Sequence, residues 1–160
     1  MRALIASAFF AAAAIAMVPQ AALAKPAGSA IAGTWTLDPA ASKFSGPALK
    51  SETRTYRVTG NRVRLTASGV DASGKASRYH YSAAYDGKYY PMIGNPYGDH
   101  IALKRIDARN VEATLKKGKA VSAYAKLTAS ADGQHLTLTR RTLHGKAPAT
   151  VDTLAYDKQH

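Results

Sequence analysis

Cysteine is absent from all 160 residues, tryptophan occurs once, and glutamate occurs twice, as Glu52 and Glu112. Without cysteine there is no disulfide, no thiol nucleophile and no sulfur ligand for zinc, so stability has to come from packing alone. Carboxylates that could pair for acid–base work are scarce, and no Gly-x-Ser-x-Gly elbow occurs. The five histidines, at 80, 100, 135, 144 and 160, have no spacing that sets two on one helical face, and Asp99-His100 alone is a poor metal pair. These scarcities argue against an enzyme and predict neither a metal site nor a cofactor.

Long apolar runs are missing as well, except at the start. Met1-Arg2 is followed by an uncharged stretch from Ala3 to Val18, then Pro19-Gln20-Ala21 and the small-residue site Ala22-Leu23-Ala24. This pattern predicts a secretory signal peptide over 1–24, cleaved after Ala24. The stretch is too short and too rich in alanine for a membrane span, and no cysteine follows it to accept a bacterial lipid anchor. The expected location is therefore periplasmic or secreted. Residues 25–32 read as a small polar spacer and 33–160 as one domain, large enough to bury roughly two-thirds of its unfolded surface.

Acidic residues are the other deficit. Without Arg2 the remaining 21 Lys and Arg face 10 Asp and Glu, a net charge of +11 with histidines neutral. Such a field attracts anionic surfaces. An exported protein rarely meets nucleic acid, and the charges are spread along the chain without a basic block, so an anionic envelope surface is the expected alternative partner.

What the chain does contain is alternation. Strands are predicted at 33–38, 51–59, 62–70, 76–86, 88–92, 100–106, 111–117, 119–129, 134–142 and 148–157, separated by connectors such as Gly60-Asn61, Asp71 to Gly74, Asp86-Gly87 and Asp132-Gly133. Asp38-Pro39 is expected to stop the first strand. Ten short strands joined by hairpin-length turns leave no room for helices, and predict an all-β, antiparallel up-and-down barrel whose closure removes exposed edges. A Greek-key sandwich is the alternative. Val63, Leu65 and Ala67 share a phase, as do Tyr79, Tyr81, Ala83 and Tyr85, then Val111, Ala113 and Leu115, then Val121, Ala123, Ala125 and Leu127, then Leu136 and Leu138; these are expected to face inward. A repeat at an offset of 71 residues sets Leu65-Thr66, Gly74-Lys75-Ala76 and Ala84-Tyr85-Asp86 against Leu136-Thr137, Gly145-Lys146-Ala147 and Ala155-Tyr156-Asp157.

The opening Gly33-Thr34-Trp35, with the first strand running toward Ser42-Lys43-Phe44 and nine short strands after it, resembles the calycin group of lipocalins and fatty-acid-binding proteins. The middle, Tyr85-Asp86-Gly87-Lys88-Tyr89-Tyr90-Pro91, Gly94-Asn95-Pro96 and Leu103-Lys104-Arg105-Ile106-Asp107, is similar to a group of small exported bacterial proteins of unassigned role. The resemblance implies a barrel with an interior site for a small hydrophobic or amphipathic molecule. The chain departs from fatty-acid-binding proteins in two places: residues 40–50 cannot supply a helical pair, and the arginine-x-tyrosine triplet is Arg54-Thr55-Tyr56 on the second strand, not near the last. Leu37-Asp38-Pro39-Ala40 is also similar to the opening of periplasmic polyisoprenoid-binding barrels, whose following histidine is Ala41 here.

Arginines that continue an apolar phase mark the candidate site: Arg54 with Tyr56, Arg105 after Ile101 and Leu103, and Arg140 after Leu136 and Leu138. A guanidinium facing a barrel interior needs a carboxylate or an anionic ligand. Arg54, Tyr56, Tyr81, Arg105 and Tyr97 are the candidate ligand-binding residues; Tyr97 lies on the irregular connector Tyr89 to Asp99, placed to gate a barrel mouth. Gly33, Trp35 and Arg140 are the expected structural residues, with Arg140 packed over the Trp35 ring as a late-strand arginine is in lipocalins. The alanine-rich inward phases predict a cavity of roughly a few hundred Å³, with collapse onto the tyrosines as the alternative. Taken together, the expectation is a non-enzymatic, monomeric barrel holding a small amphipathic molecule, or else a basic protein recognising anionic lipid head groups or polysaccharide.

Overall fold

The computed structural model describes residues 29–160; the expected signal peptide and the first half of the spacer, 25–28, lie outside the described residues. Ten strands form in chain order: β1 (Gly33–Lys43), β2 (Ser51–Thr59), β3 (Arg62–Val70), β4 (Ala76–Ala84), β5 (Tyr89–Ile93), β6 (His100–Arg105), β7 (Asn110–Lys117), β8 (Ala120–Ala129), β9 (His135–His144) and β10 (Ala147–Lys158). Each pairs antiparallel with the next, and β1 pairs with β10, so the meander closes into a barrel and no edge is left open. The predicted architecture and the strand bounds agree with this to within one or two residues, apart from β1.

The difference at β1 has a local cause. The strand does not stop at Asp38-Pro39; its pairing with β10 jumps from Asp38↔Ala155 to Lys43↔Thr153. Pro39 thus sits in a bulge, where its missing N–H breaks no ladder bond. Asp38 Oδ1 accepts from the amides of Ala40 and Ala41 at 2.9 and 3.1 Å, and Ser42 donates to the Asp38 carbonyl, so the extra residues are held by side-chain bonds.

Alternation then sorts the two faces. Val63, Leu65 and Ala67 on β3, Tyr79, Tyr81 and Ala83 on β4, and Leu136 and Leu138 on β9 are all buried. On β8, Ala123 and Leu127 are buried while Val121 is half-exposed, because the β7–β8 register shifts at Leu115/Lys116 and Val121 falls opposite Lys116. In the repeated hairpins β3–β4 and β9–β10, the equivalent glycines, Gly74 and Gly145, both take positive φ (91° and 64°) in the connecting turns.

The two ends differ. At one, Ile31 lies over Trp35, whose Nε1 donates to the Ile31 carbonyl at 2.9 Å, and both are fully buried. This end is closed. At the other end lie residues 44–50, the β3–β4 turn and the long connector between β5 and β6, which together frame a mouth.

Candidate functional site

The interior is organised around Arg54. Glu52, Arg54 and Tyr56 are alternate residues of β2, so all three point inward, and all three are buried. Arg54 Nε donates to Glu52 Oε1 at 2.5 Å, Nη1 to the Tyr56 hydroxyl at 2.9 Å, and Nη2 to the Tyr79 hydroxyl. Tyr156 on β10 donates to Glu52 Oε1 at 2.6 Å, and Tyr79 to Oε2 at 3.2 Å. The Arg54 guanidinium carbon also lies 5.6 and 5.3 Å from the Tyr79 and Tyr156 ring centres. One acid and three phenols therefore satisfy an arginine that would otherwise be buried unpaired.

Ionisation follows from this geometry. Burial pushes the Glu52 carboxyl up, but the Arg54 charge and the hydrogen bonds from Tyr156, Arg54 and Tyr79 outweigh it, so its pKa is lowered. Burial also opposes the Arg54 charge; Glu52 reverses that, and the guanidinium is held charged more firmly than in water. Desolvation raises the pKa of Tyr56, Tyr79, Tyr81 and Tyr156, so the phenols are neutral, and Tyr79 and Tyr156 donate to Glu52.

A second charged pair sits at the mouth. Arg140 Nη2 donates to Asp152 Oδ2 at 2.6 Å, and Asp152 Oδ1 accepts from the Ser45 amide and hydroxyl at 2.8 and 2.7 Å. Tyr97 lies against the same guanidinium, with the Arg140 carbon 3.5 Å from its ring centre. Arg140 Nε and the neighbouring Thr142 Oγ1 are buried with no protein partner.

Four of the five expected ligand-binding residues come together. Arg54, Tyr56, Tyr81 and Tyr97 line one interior cavity, which Met92, Asn95 and several leucines complete. Arg105 does not join them. It lies at the closed end, where its guanidinium stacks 4.1 Å from the Tyr85 ring centre and its Nη2 donates to the Gly60 carbonyl at 3.1 Å. Phase set its face correctly, but Arg105 is the last residue of its strand and so reaches the rim.

Two further expectations are corrected. Trp35 is not covered by Arg140: register places Lys158 opposite Trp35 on β10 and Asp152 opposite Arg140, six residues apart or roughly 20 Å along the strand. The cation over Trp35 is Lys158, with Nζ 5.3 Å from the ring centre, and the Lys158 chain also lies against Gly33, where φ is 134° and a Cβ would meet Lys158 Cε at 3.0 Å. The interior cavity measures only about 40 Å³, room for one or two waters. Ala113 and Ala125 line it, whereas Ala67, Ala83 and Ala123 are fully buried in packed wall, and Tyr56, Tyr79 and Tyr81 border the little space that is left.

The larger volume lies outside Tyr97. A mouth depression of about 540 Å³ is lined by Leu49, Glu52, Lys75, Arg78, Tyr79, Tyr97 and Arg140, among others, and a further one of about 160 Å³ by Phe44, Leu49, Tyr97, Arg140 and Thr142, among others. Tyr97 and Arg140 border all three spaces and form the partition between mouth and interior.

Glu52, Tyr79, Tyr156 and Asp152 were missed as functional residues. Glu52 was findable, since it continues the inward phase of Arg54 and Tyr56 by one step, and Asp152 faces Arg140 across the β9–β10 hairpin; Tyr156 reaches the site only through closure of β10 on β1.

Fold and site together define a closed ten-stranded antiparallel barrel with a buried arginine cluster beneath a partly occluded mouth. No family model matches the chain, and no curated protein matches it. It is similar in fold to a solved structure of EF1p2_mFAP2b bound to DFHBI, with a TM-score of 0.50 and 9% identity over 84% of this chain and 98% of that one. At that identity the likeness is one of fold. Among the described residues no helix is long and apolar enough to cross a membrane, and no three His, Asp or Glu side chains are grouped to hold a metal ion.

Proposed function

We propose that the protein is a non-enzymatic, calycin-like binding barrel for a small amphipathic anion, which enters at the mouth and reaches the Arg54 cluster when Tyr97 swings away from Arg140. The observation that carries this reading is the position of Tyr97: together with Arg140, this side chain on a connector separates a mouth of about 540 Å³ from a cavity floored by Arg54. A drug-sized ligand needs roughly 300–1,000 Å³, which the mouth supplies and the closed interior does not. Arg140 Nε, buried and lacking an acceptor, supports an anionic head group at this place. The apolar tail would lie along Leu65, Met92, Ile101 and Leu127 below. The neighbour bound to DFHBI supports the reading only in that such a barrel accommodates a small molecule. In this reading the protein acts as a monomer in the periplasm or outside the cell, after cleavage at Ala24.

Uptake of a dansyl-labelled undecanoic acid by the purified protein tests the proposal. Saturable fluorescence enhancement is expected, with an association rate raised at least threefold by Tyr97→Ala, which removes the connector's half of the partition. Absence of uptake by both proteins, each shown folded by circular dichroism, would overturn it.

A further inference from the structure

The outer wall of the barrel carries a feature unrelated to the mouth. On β2 and β3, outward positions hold Ser51, Thr53, Thr55, Arg57 and Thr59, and Arg62, Arg64, Thr66, Ser68 and, at the strand end, the half-buried Val70. Register sets Arg57 directly opposite Arg64, Thr55 opposite Thr66, and Thr53 opposite Ser68; on β4, Arg78 stands opposite Ser68 and His80 opposite Thr66. Arg57, Arg62, Arg64 and Arg78 are exposed, and none belongs to the ion pairs of the described residues.

The shortage of partners follows from where the acids go. Asp38, Asp71, Asp86, Asp99, Asp107 and Asp132 accept from backbone amides in the bulge, turns and connectors. Glu52 and Asp152 are buried with Arg54 and Arg140, Asp157 bonds His135, and Glu112 stands between Lys104 and Lys126 on the opposite wall. That accounts for all ten acids of the sequence. None is left for the β2–β4 wall, where two arginines oppose each other directly, an arrangement that costs stability unless an anion sits between them. A shallow depression of about 320 Å³, lined by Thr55, Arg57, Arg64 and Thr66, lies at that place.

We propose that this wall binds an acidic polysaccharide, whose carboxylates pair with Arg57 and Arg64 while its hydroxyls bond the threonines. The chemistry of the wall selects among anionic polymers. Its β2 and β3 positions offer a single apolar side chain, the half-buried Val70, too little to anchor in a bilayer, and no aromatic ring on which a nucleobase could stack. Forked guanidinium donors beside a lattice of hydroxyls match a chain of uronic acids. The Arg57–Arg64 site is separate from the mouth, being on the opposite side of the β2–β3 sheet from Arg54 and Tyr56; of the wall's arginines, Arg78 also borders the mouth.

Binding to immobilised alginate, measured at low salt, tests this. The purified protein is expected to bind, and Arg57→Thr/Arg64→Thr to weaken binding at least tenfold, whereas Lys126→Thr/Arg141→Thr, which removes the same charge from the other wall, changes it less than threefold. Arg57→Thr/Arg64→Thr, which relieves the like-charge opposition, is expected to melt no lower than the parent, and both double variants to stay folded and keep its dansyl-acid behaviour. Equal losses from the two walls would show a general field effect and overturn the site, as would no binding at all. Competition by oligo-thymidine or phosphatidylglycerol vesicles as effective as that by free alginate would overturn the choice of polysaccharide.

Discussion

Arg54 and Glu52 are two residues apart on one strand, both turned inward, with Nε 2.5 Å from Oε1. An ion pair with this spacing needs no tertiary contact to bring its members together, but it needs one to pay the desolvation of both, and the hydroxyls of Tyr56, Tyr79 and Tyr156 do that. Removing one partner leaves a buried charge. Arg54→Met is therefore expected to cost about 3–5 kcal/mol, and Glu52→Gln/Arg54→Met to be more stable than Arg54→Met alone. Urea denaturation of the two variants and the parent checks this; equal stability of the single and double variants would show that Glu52 is not the penalty.

Stability should depend on pH in the acid range. Burial raises the Glu52 and Asp152 carboxyls, but Arg54 with its tyrosines, and Ser45 with Arg140, lower both further than burial raises them. The unfolded chain, with carboxyl values of about 4, then takes up protons first as pH falls. The contribution is complete above that range and is lost as pH falls through the lower folded values. Melting temperatures are expected to be level from about pH 7 to 5 and to fall below about pH 4, with Asp152→Asn showing a shallower fall; an unchanged slope in that variant would count against a native-state role for the carboxylate.

Trp35 is fully buried at the closed end, bonded to the Ile31 carbonyl and covered by Lys158. Trp35→Ala should cost about 3–5 kcal/mol. Lys158→Ala, which strips one side of the ring, should raise acrylamide quenching of the single tryptophan, whereas Arg140→Ala should not. The opposite order would contradict the register of β10.

Gly94 begins the connector that carries Tyr97. Its φ is +81°, and a Cβ there would lie 2.3 Å from the Arg78 carbonyl oxygen, so both conformation and space demand glycine. Gly94→Ala is expected to destabilise by more than about 1 kcal/mol and to displace Tyr97 from Arg140, seen as faster dansyl-acid association. Gly87→Ala, also at positive φ but with open space around it, should be milder and leave association unchanged.

Strand number, strand bounds and the face on which most side chains lie were legible in the sequence, because a period of two and turn chemistry at Gly60-Asn61 or Asp132-Gly133 act over a few residues. Arg54, Tyr56 and Tyr81 were readable as interior for the same reason. The sequence also contained the arithmetic of the acids, few enough that a wall of arginines had to go without partners. Height along the barrel was not legible. Alternation says in or out, whereas the closure of β1 on β10 decides which inward side chains from the two ends of the chain share a level, and it set Lys158 beside Trp35, six residues along β10 from the Asp152 that faces Arg140. Whether the alanine-lined interior stays open was likewise settled only by the assembled barrel, since the space beside a small residue belongs to whichever neighbour can reach it. Here the tyrosines of β2 and β4 reach it, held there by a single buried guanidinium.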